Sequence, residues 1–483
     1  MARPDYPHAP RLDLVEQLHG HQVADPYRWL EDAGSPETAA WSAAQDRLVR
    51  AHLDALPGRE RLATRLEELL ATGTVSAPAW RSGRAFWLRR EPGQEHGVLW
   101  TRDPGGDERV LLDPMAVDPT GATTLDAWAP SKEGIRLAYQ LSVGGDEESL
   151  LRVLDVESGE ALDGPVDRCR YSPVAWLPGG EELFYVRRLP ADQVPVGEEQ
   201  FHRRVWRHRV GSSPDDDVLV WGEDLDPTNY YGCTVSDDGR WLVVSASAGT
   251  APRDDVWLFD LASAAPPTPV QVGVDARCSA WVGHDGRLWL LTDRDAPRGR
   301  LCVADPLSPA DWTTVLAEDA EAVLEDVALL DDGVVVALRN RHALAEITIC
   351  KGDLVTVVNV QGPGSCSGLS SLPTGGSEVW FGWTAATTPP QVRRLDSSTG
   401  TVTLWQDSPG RVSLGPVRAT MLEVVSADGT TVRAQVLSAE GVPDRPRPTV
   451  LYGYGGFGVS LTPGWSATAL AWVESGGVWD VTA

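Results

Sequence analysis

Tyr452-Gly453-Tyr454-Gly455-Gly456-Phe457 is the stretch of this chain whose residue types lend themselves most readily to chemistry. Glycines behind a strand let the backbone approach a bound molecule closely. A tyrosine hydroxyl among them can donate to an oxyanion as it forms. The same hexamer also fits a tight turn flanked by packing aromatics. A phosphate loop does not fit, because no Lys-Ser/Thr pair follows the glycines. An acyl-transfer serine would sit in Gly-x-Ser-x-Gly on a strand-to-helix turn, and that pattern does not occur. Gly364-Ser365-Cys366-Ser367-Gly368 has the glycines but a cysteine at the nucleophile position, and it reads as a loop between strands.

Other candidates are weaker. The nine histidines end at His342, so no histidine base accompanies the hexamer. His19-Gly20-His21 lacks the spacing of one helical turn and a third ligand, and is expected to be structural. Asp237-Asp238, Asp254-Asp255 and Asp331-Asp332 sit in turns, where Asp supplies turn chemistry. Spacing alone singles out no glycosidase-like carboxylate pair. Six cysteines without a C-x-x-C are too sparse for a zinc site or a disulfide scaffold. They read as buried thiols of a reducing compartment. No metal and no cofactor is expected.

A repeat would have to position these residues. An apolar residue, a Gly/Asp-rich turn and an apolar strand recur from Trp80, Trp128, Trp176, Val235, Trp281, Leu329 and Leu372, at separations of 48, 48, 59, 46, 48 and 43 residues. A short strand, often ending in Asp, trails each copy, as in Leu151–Asp155 and Val256–Asp260. Several strands per unit of 40–50 residues is the pattern of a β-propeller. The expected fold is therefore mainly β, a seven-bladed propeller over residues 73–408. The 20 Trp residues fit packing between blades.

The flanks differ. Residues 1–72 read as a helical segment, with a start at Ser35-Pro36-Glu37 and a break near Pro57-Gly58. In residues 409–483, a hairpin around Asp428-Gly429 and a Pro-rich connector, Val442–Pro448, lead to Thr449–Tyr452, expected to be a buried strand. A helix within Trp465–Glu474 and a strand from Val478 would follow, the order in which an α/β domain begins. Lys and Arg number 42 against 69 Asp and Glu, a net charge of −27 that disfavours nucleic acid and anionic membrane as partners. No apolar run suits a secretory signal or a membrane span, so the chain reads as cytoplasmic.

Two end motifs resemble one known family. Tyr6-Pro7 with His19-Gly20-His21 through Asp25-Pro26-Tyr27-Arg28-Trp29-Leu30-Glu31-Asp32 resembles the N-terminal signature of prolyl oligopeptidases. Tyr452–Phe457, followed by Val459–Pro463 and Gly476-Gly477-Val478, resembles the start of their catalytic domain. Val235–Arg240 is similar to one of their blade turns. The resemblance implies a monomeric cytosolic serine peptidase that cleaves short peptides on the carboxyl side of proline. In that family an α/β-hydrolase domain is built from both chain ends, and the propeller covers its active site. Tyr454 matches the oxyanion-hole tyrosine and Phe457 an aromatic residue of the proline pocket. The family's Ser, Asp and His lie beyond the segment matched by residues 449–480. The chain is therefore expected to be truncated before its triad and inactive alone. The alternative is a non-catalytic propeller fragment that binds peptides or proteins.

Overall fold

The computed structural model describes residues 5–360, 362–441 and 445–482. Val442, Pro443 and Asp444, the start of the expected Pro-rich connector, lie outside the described residues. Two compact units are present, residues 1–68 and 69–483.

In the first unit, helices span Pro36–Asp54 and Arg59–Leu70, the second running two residues past the unit's edge. Ser35 caps the first by accepting the Thr38 amide at 3.1 Å. The segment is not wholly helical. Val15–Leu18 and His21–Ala24 form an antiparallel hairpin. Its two-residue turn is His19-Gly20, both at positive φ (51° and 82°). A two-residue turn with both φ positive matches the twist of the strands it joins. His19 thus serves backbone geometry.

The second unit holds seven consecutive antiparallel sheets. Six have four strands; the first has five, because Thr74–Val75 and Ala79–Arg81 share one edge of Arg84–Arg90. The innermost strands are Ala79–Arg81, Thr123–Pro130, Val174–Trp176, Asn229–Val235, Cys278–Val282, Ala322–Leu329 and Ser365–Leu372. Most second strands carry long buried runs, as in Arg136–Val143 and Val334–Arg341. Such runs mark a strand covered on both faces.

The covering comes from the neighbouring sheets. Phe86, Leu99, Leu137 and Leu154 form one core between the first and second sheets. Trp241, Val256, Cys278 and Leu290 do so for the fourth and fifth. The last such core closes the circle, with Ala85 and Trp87 of the first sheet against Trp380 and Val392 of the seventh. The Trp80 and Trp380 rings pack there tilted by 48° with centroids 4.7 Å apart, and Ser370 donates to the Pro78 carbonyl.

The chain enters and leaves the ring side by side. The Thr72 carbonyl accepts from Ser408 Oγ at 2.7 Å and from the Gly410 amide at 2.8 Å. Gly73 has φ +68°, and a Cβ there would lie 2.2 Å from the Arg90 carbonyl, so only glycine fits.

Beyond the ring, Arg418–Val425, Thr431–Ser438, Val478–Thr482 and Thr449–Tyr452 form a mixed sheet in that spatial order. Thr449–Tyr452 pairs in parallel with Val478–Thr482, and a helix, Ala467–Glu474, connects them. Ser466 caps that helix through the Ala469 amide at 3.2 Å. Thr449–Tyr452 is not the buried strand expected. It is an edge strand, with Leu451 68% exposed, because no described strand covers its outer side. Gly364–Gly368 is not a loop either, since Ser365 opens the innermost strand of the seventh sheet.

Candidate functional site: an axial channel and the Tyr454 loop

Seven innermost strands around one axis leave a channel between them. A cavity of about 420 Å³ takes residues from all seven, among them Arg81, Pro130, Trp176, Val235, Val282 and Leu372. These residues lie where the innermost strands end. A second cavity of about 520 Å³ lies where they begin, lined by Gln140, Glu147, Tyr171, Ser172 and Tyr231 among others. The first cavity draws on all seven sheets, the second on the second to fourth only.

In the cavity where strands begin, several polar groups are paired, while the buried Tyr231 hydroxyl has no hydrogen-bond partner among the described residues. Gln140, 3% exposed, donates to the Ser172 carbonyl at 2.6 Å, and Ser172 Oγ accepts the Val186 amide at 2.9 Å. The Tyr171 hydroxyl and then the Arg170 guanidinium hold the Glu147 carboxyl below its usual range. Tyr171 sits at φ +55° and stands half-exposed, 6.1 Å from the Tyr230 ring.

The Tyr454 loop attaches on the same side of the ring, where innermost strands begin. Ser365 donates to the Pro463 carbonyl, and the Trp465 amide donates to Thr384 Oγ1 at 3.0 Å. A Cβ on Gly458 would lie 3.3 Å from the Arg277 guanidinium, just ahead of the fifth sheet. Tyr454 and Phe457 share this loop, but no closed pocket surrounds them. Tyr454 is 55% exposed, and Phe457, at φ +54°, is 68% exposed. Gly455 and Gly458, both at positive φ, turn the loop around them.

Sequence reasoning missed one buried network. His208 lies between Asp217 at 2.6 Å and Asp163 at 2.8 Å, and the Tyr185 hydroxyl donates to Asp217 at 2.6 Å. Burial pulls the His208 pKa down, but the two carboxylates outweigh it and hold it up at about 9. Burial likewise opposes ionisation of Asp163, yet His208 and the Gly211 and Gly164 amides keep its pKa low. The group pins the second sheet to the third and contains no serine or cysteine. Nothing in the spacing of 163, 208 and 217 announces it, since the three positions meet only through sheet packing.

Among the described residues no group of three or more His, Cys, Asp or Glu is placed to hold a metal ion. The six cysteines are unpaired, and five are buried. No described helix is long and apolar enough to cross a membrane.

Comparison with known proteins gives this architecture a class. A model of the prolyl oligopeptidase N-terminal β-propeller domain matches residues 7–408, so the fold is a β-propeller of that type. The chain belongs to the prolyl oligopeptidase family. It is 29% identical over 485 residues to a prolyl endopeptidase of Elizabethkingia meningoseptica, covering 99% of this chain and 68% of that one. It is 24% identical to prolyl oligopeptidase A of Amanita bisporigera, covering 98% and 68%. A solved prolyl endopeptidase structure superposes with TM-score 0.91 at 32% identity, covering 99% of this chain and 71% of that one.

Proposed function

We propose that the chain is the propeller-bearing part of a serine endopeptidase that hydrolyses short peptides on the carboxyl side of proline. The seven sheets are read as seven blades over residues 73–408. Residues 1–72 and 409–483 are assigned to the α/β-hydrolase domain. The observation that carries the reading is the attachment of the Tyr454 loop to the side of the ring where the innermost strands begin. Substrate held on that side would meet both the loop and the channel, and the channel's bore would favour small peptides.

In this reading the Tyr454 hydroxyl donates to the oxyanion that develops on the scissile carbonyl, and the Phe457 ring packs against the proline. A donor aimed at the transition state acts mainly on kcat, whereas an apolar pocket wall acts mainly on KM. The nucleophile, acid and base of the mechanism are not among these 483 residues, so this chain alone would not turn over peptide. Unpaired cysteines accord with a reducing, cytosolic setting. The substrate partners are proline-containing peptides met by a monomer, without nucleic acid or membrane.

The test begins with the coding sequence downstream of Ala483. Gly-x-Ser-x-Gly followed by Asp and His is expected there. In the longer chain, Tyr454→Phe should lower kcat by about 10²–10³-fold with little change in KM, as for loss of one oxyanion donor. An unchanged kcat removes the assignment.

A further inference from the structure

The channel mouth where the innermost strands end has charge chemistry that peptide hydrolysis leaves unexplained. Lys132, in the turn after the second sheet's innermost strand, reaches across to the fourth sheet. Its Nζ donates to the Val235 carbonyl at 2.8 Å and lies 3.4 Å from Asp237 Oδ1. Arg81, closing the first sheet's innermost strand, lines the same cavity. Its Nη1 donates to the Trp80 carbonyl at 2.7 Å, and among the described residues it has no carboxylate within 4.0 Å. Glu133 is turned away, its Oε1 accepting the Gly179 amide at 2.6 Å.

Asp237 pairs with Lys132 and Glu133 lies within electrostatic reach of it, so Arg81 is the cation at this mouth that no carboxylate bonds among the described residues. Burial lowers the pKa of both Lys132 and Arg81, and the Asp237 charge, joined by Glu133 at Lys132, only partly offsets it. Arg81 further disfavours the charge on Lys132, which places the two within electrostatic reach of each other. A guanidinium without a carboxylate partner in a partly desolvated mouth is stabilised by an incoming anion. The open donors of the Arg81 fork match a carboxylate, which can accept two parallel N–H bonds.

We propose that Arg81 and Lys132 form a binding site for a small carboxylate anion, such as the C-terminus of a short peptide, at the channel mouth remote from the Tyr454 loop. Asp237 holds Lys132 in place. The cavity of about 420 Å³ limits the site to a ligand of a few residues at most. The site is independent of the hydrolytic reading, because it requires no turnover.

Lysine content makes the test direct. The chain has two lysines, Lys132 and Lys351, and the Lys351 side chain, 57% exposed, serves as an internal control. The 483-residue protein is acetylated near pH 8 with an amine-specific reagent, and the label is located by peptide mass. N-acetylglycine should slow labelling of Lys132 about fivefold once it stands near four times its Kd. N-acetylglycinamide and sodium chloride at equal ionic strength should not, and Lys351 should be unaffected. Arg81→Gln should abolish the protection. Equal protection by the amide or the chloride, no protection at all, or full protection in Arg81→Gln overturns the proposal. If Lys132 takes no label even without ligand, calorimetric titration of N-acetylglycine decides. One-to-one binding lost in Arg81→Gln supports the site; no heat, or equal heat in both proteins, overturns it.

Discussion

The ring and the last sheet are both built from short twisted strands, yet they treat apolar surface in opposite ways. In the ring, Leu242 on the second strand of the fourth sheet is fully buried, because a neighbouring sheet lies over each face. In the last sheet, Leu451 on the edge strand Thr449–Tyr452 is 68% exposed. The ring completes its own core, with the seventh sheet packed on the first. The last sheet ends on an unpaired edge among the described residues, and Tyr454 and Phe457 follow directly from it. Packing is thus concentrated in the scaffold, and exposed chemistry in the segment attached to it.

The largest effect should come from the charged staple within the ring. His208→Ala leaves Asp163 and Asp217 buried without their cation, at a cost of about 3–5 kcal/mol at neutral pH. In the unsubstituted protein the staple also sets a pH dependence. The His208 pKa is raised from its ordinary value of 6.5 to about 9. Its contribution is therefore full below about pH 6.5 and is lost as pH rises through about 9. Asp163, with a lowered pKa, acts in the opposite sense: its contribution is lost as pH falls below the ordinary aspartate range. Denaturant melts between pH 6 and 10 should show the midpoint falling in the unsubstituted protein and a flatter profile in His208→Ala.

A smaller loss, about 3 kcal/mol, is expected for Leu242→Ala, which opens a cavity between the third and fourth sheets. The smallest effect tests the other side of the comparison. Leu451→Ser should change stability by no more than about 0.5 kcal/mol, since the side chain is already in water. A Leu451→Ser cost as large as that of Leu242→Ala would break the contrast between ring and edge.

Much of the ring is legible in the sequence, because each hairpin turn between first and second strands carries its own Gly/Asp signal. The recurrence from Trp80 to Leu372 marks those turns directly. What joins the turns is not legible. The Trp80–Trp380 contact and the reach of Lys132 to Val235 span 300 and 103 residues, and no local pattern encodes them. The Ser-rich strand from Ser365 misleads because an innermost strand faces a channel and need not alternate apolar residues. The hairpin at His19-Gly20 is masked by its four-residue strands, too short for a clear period. At the Tyr454 loop the motif is readable, but its surroundings depend on residues far apart in the chain, such as Arg277, Ser365 and Thr384.

We propose that this chain supplies the channel and, through Tyr454 and Phe457, part of the oxyanion and proline contacts, but not the nucleophile. Incubating the purified 483-residue protein with a Gly-Pro-linked chromogenic peptide tests it most directly. The predicted result is no release of chromophore above the enzyme-free blank. Steady turnover after proline, undiminished by further purification, would contradict it.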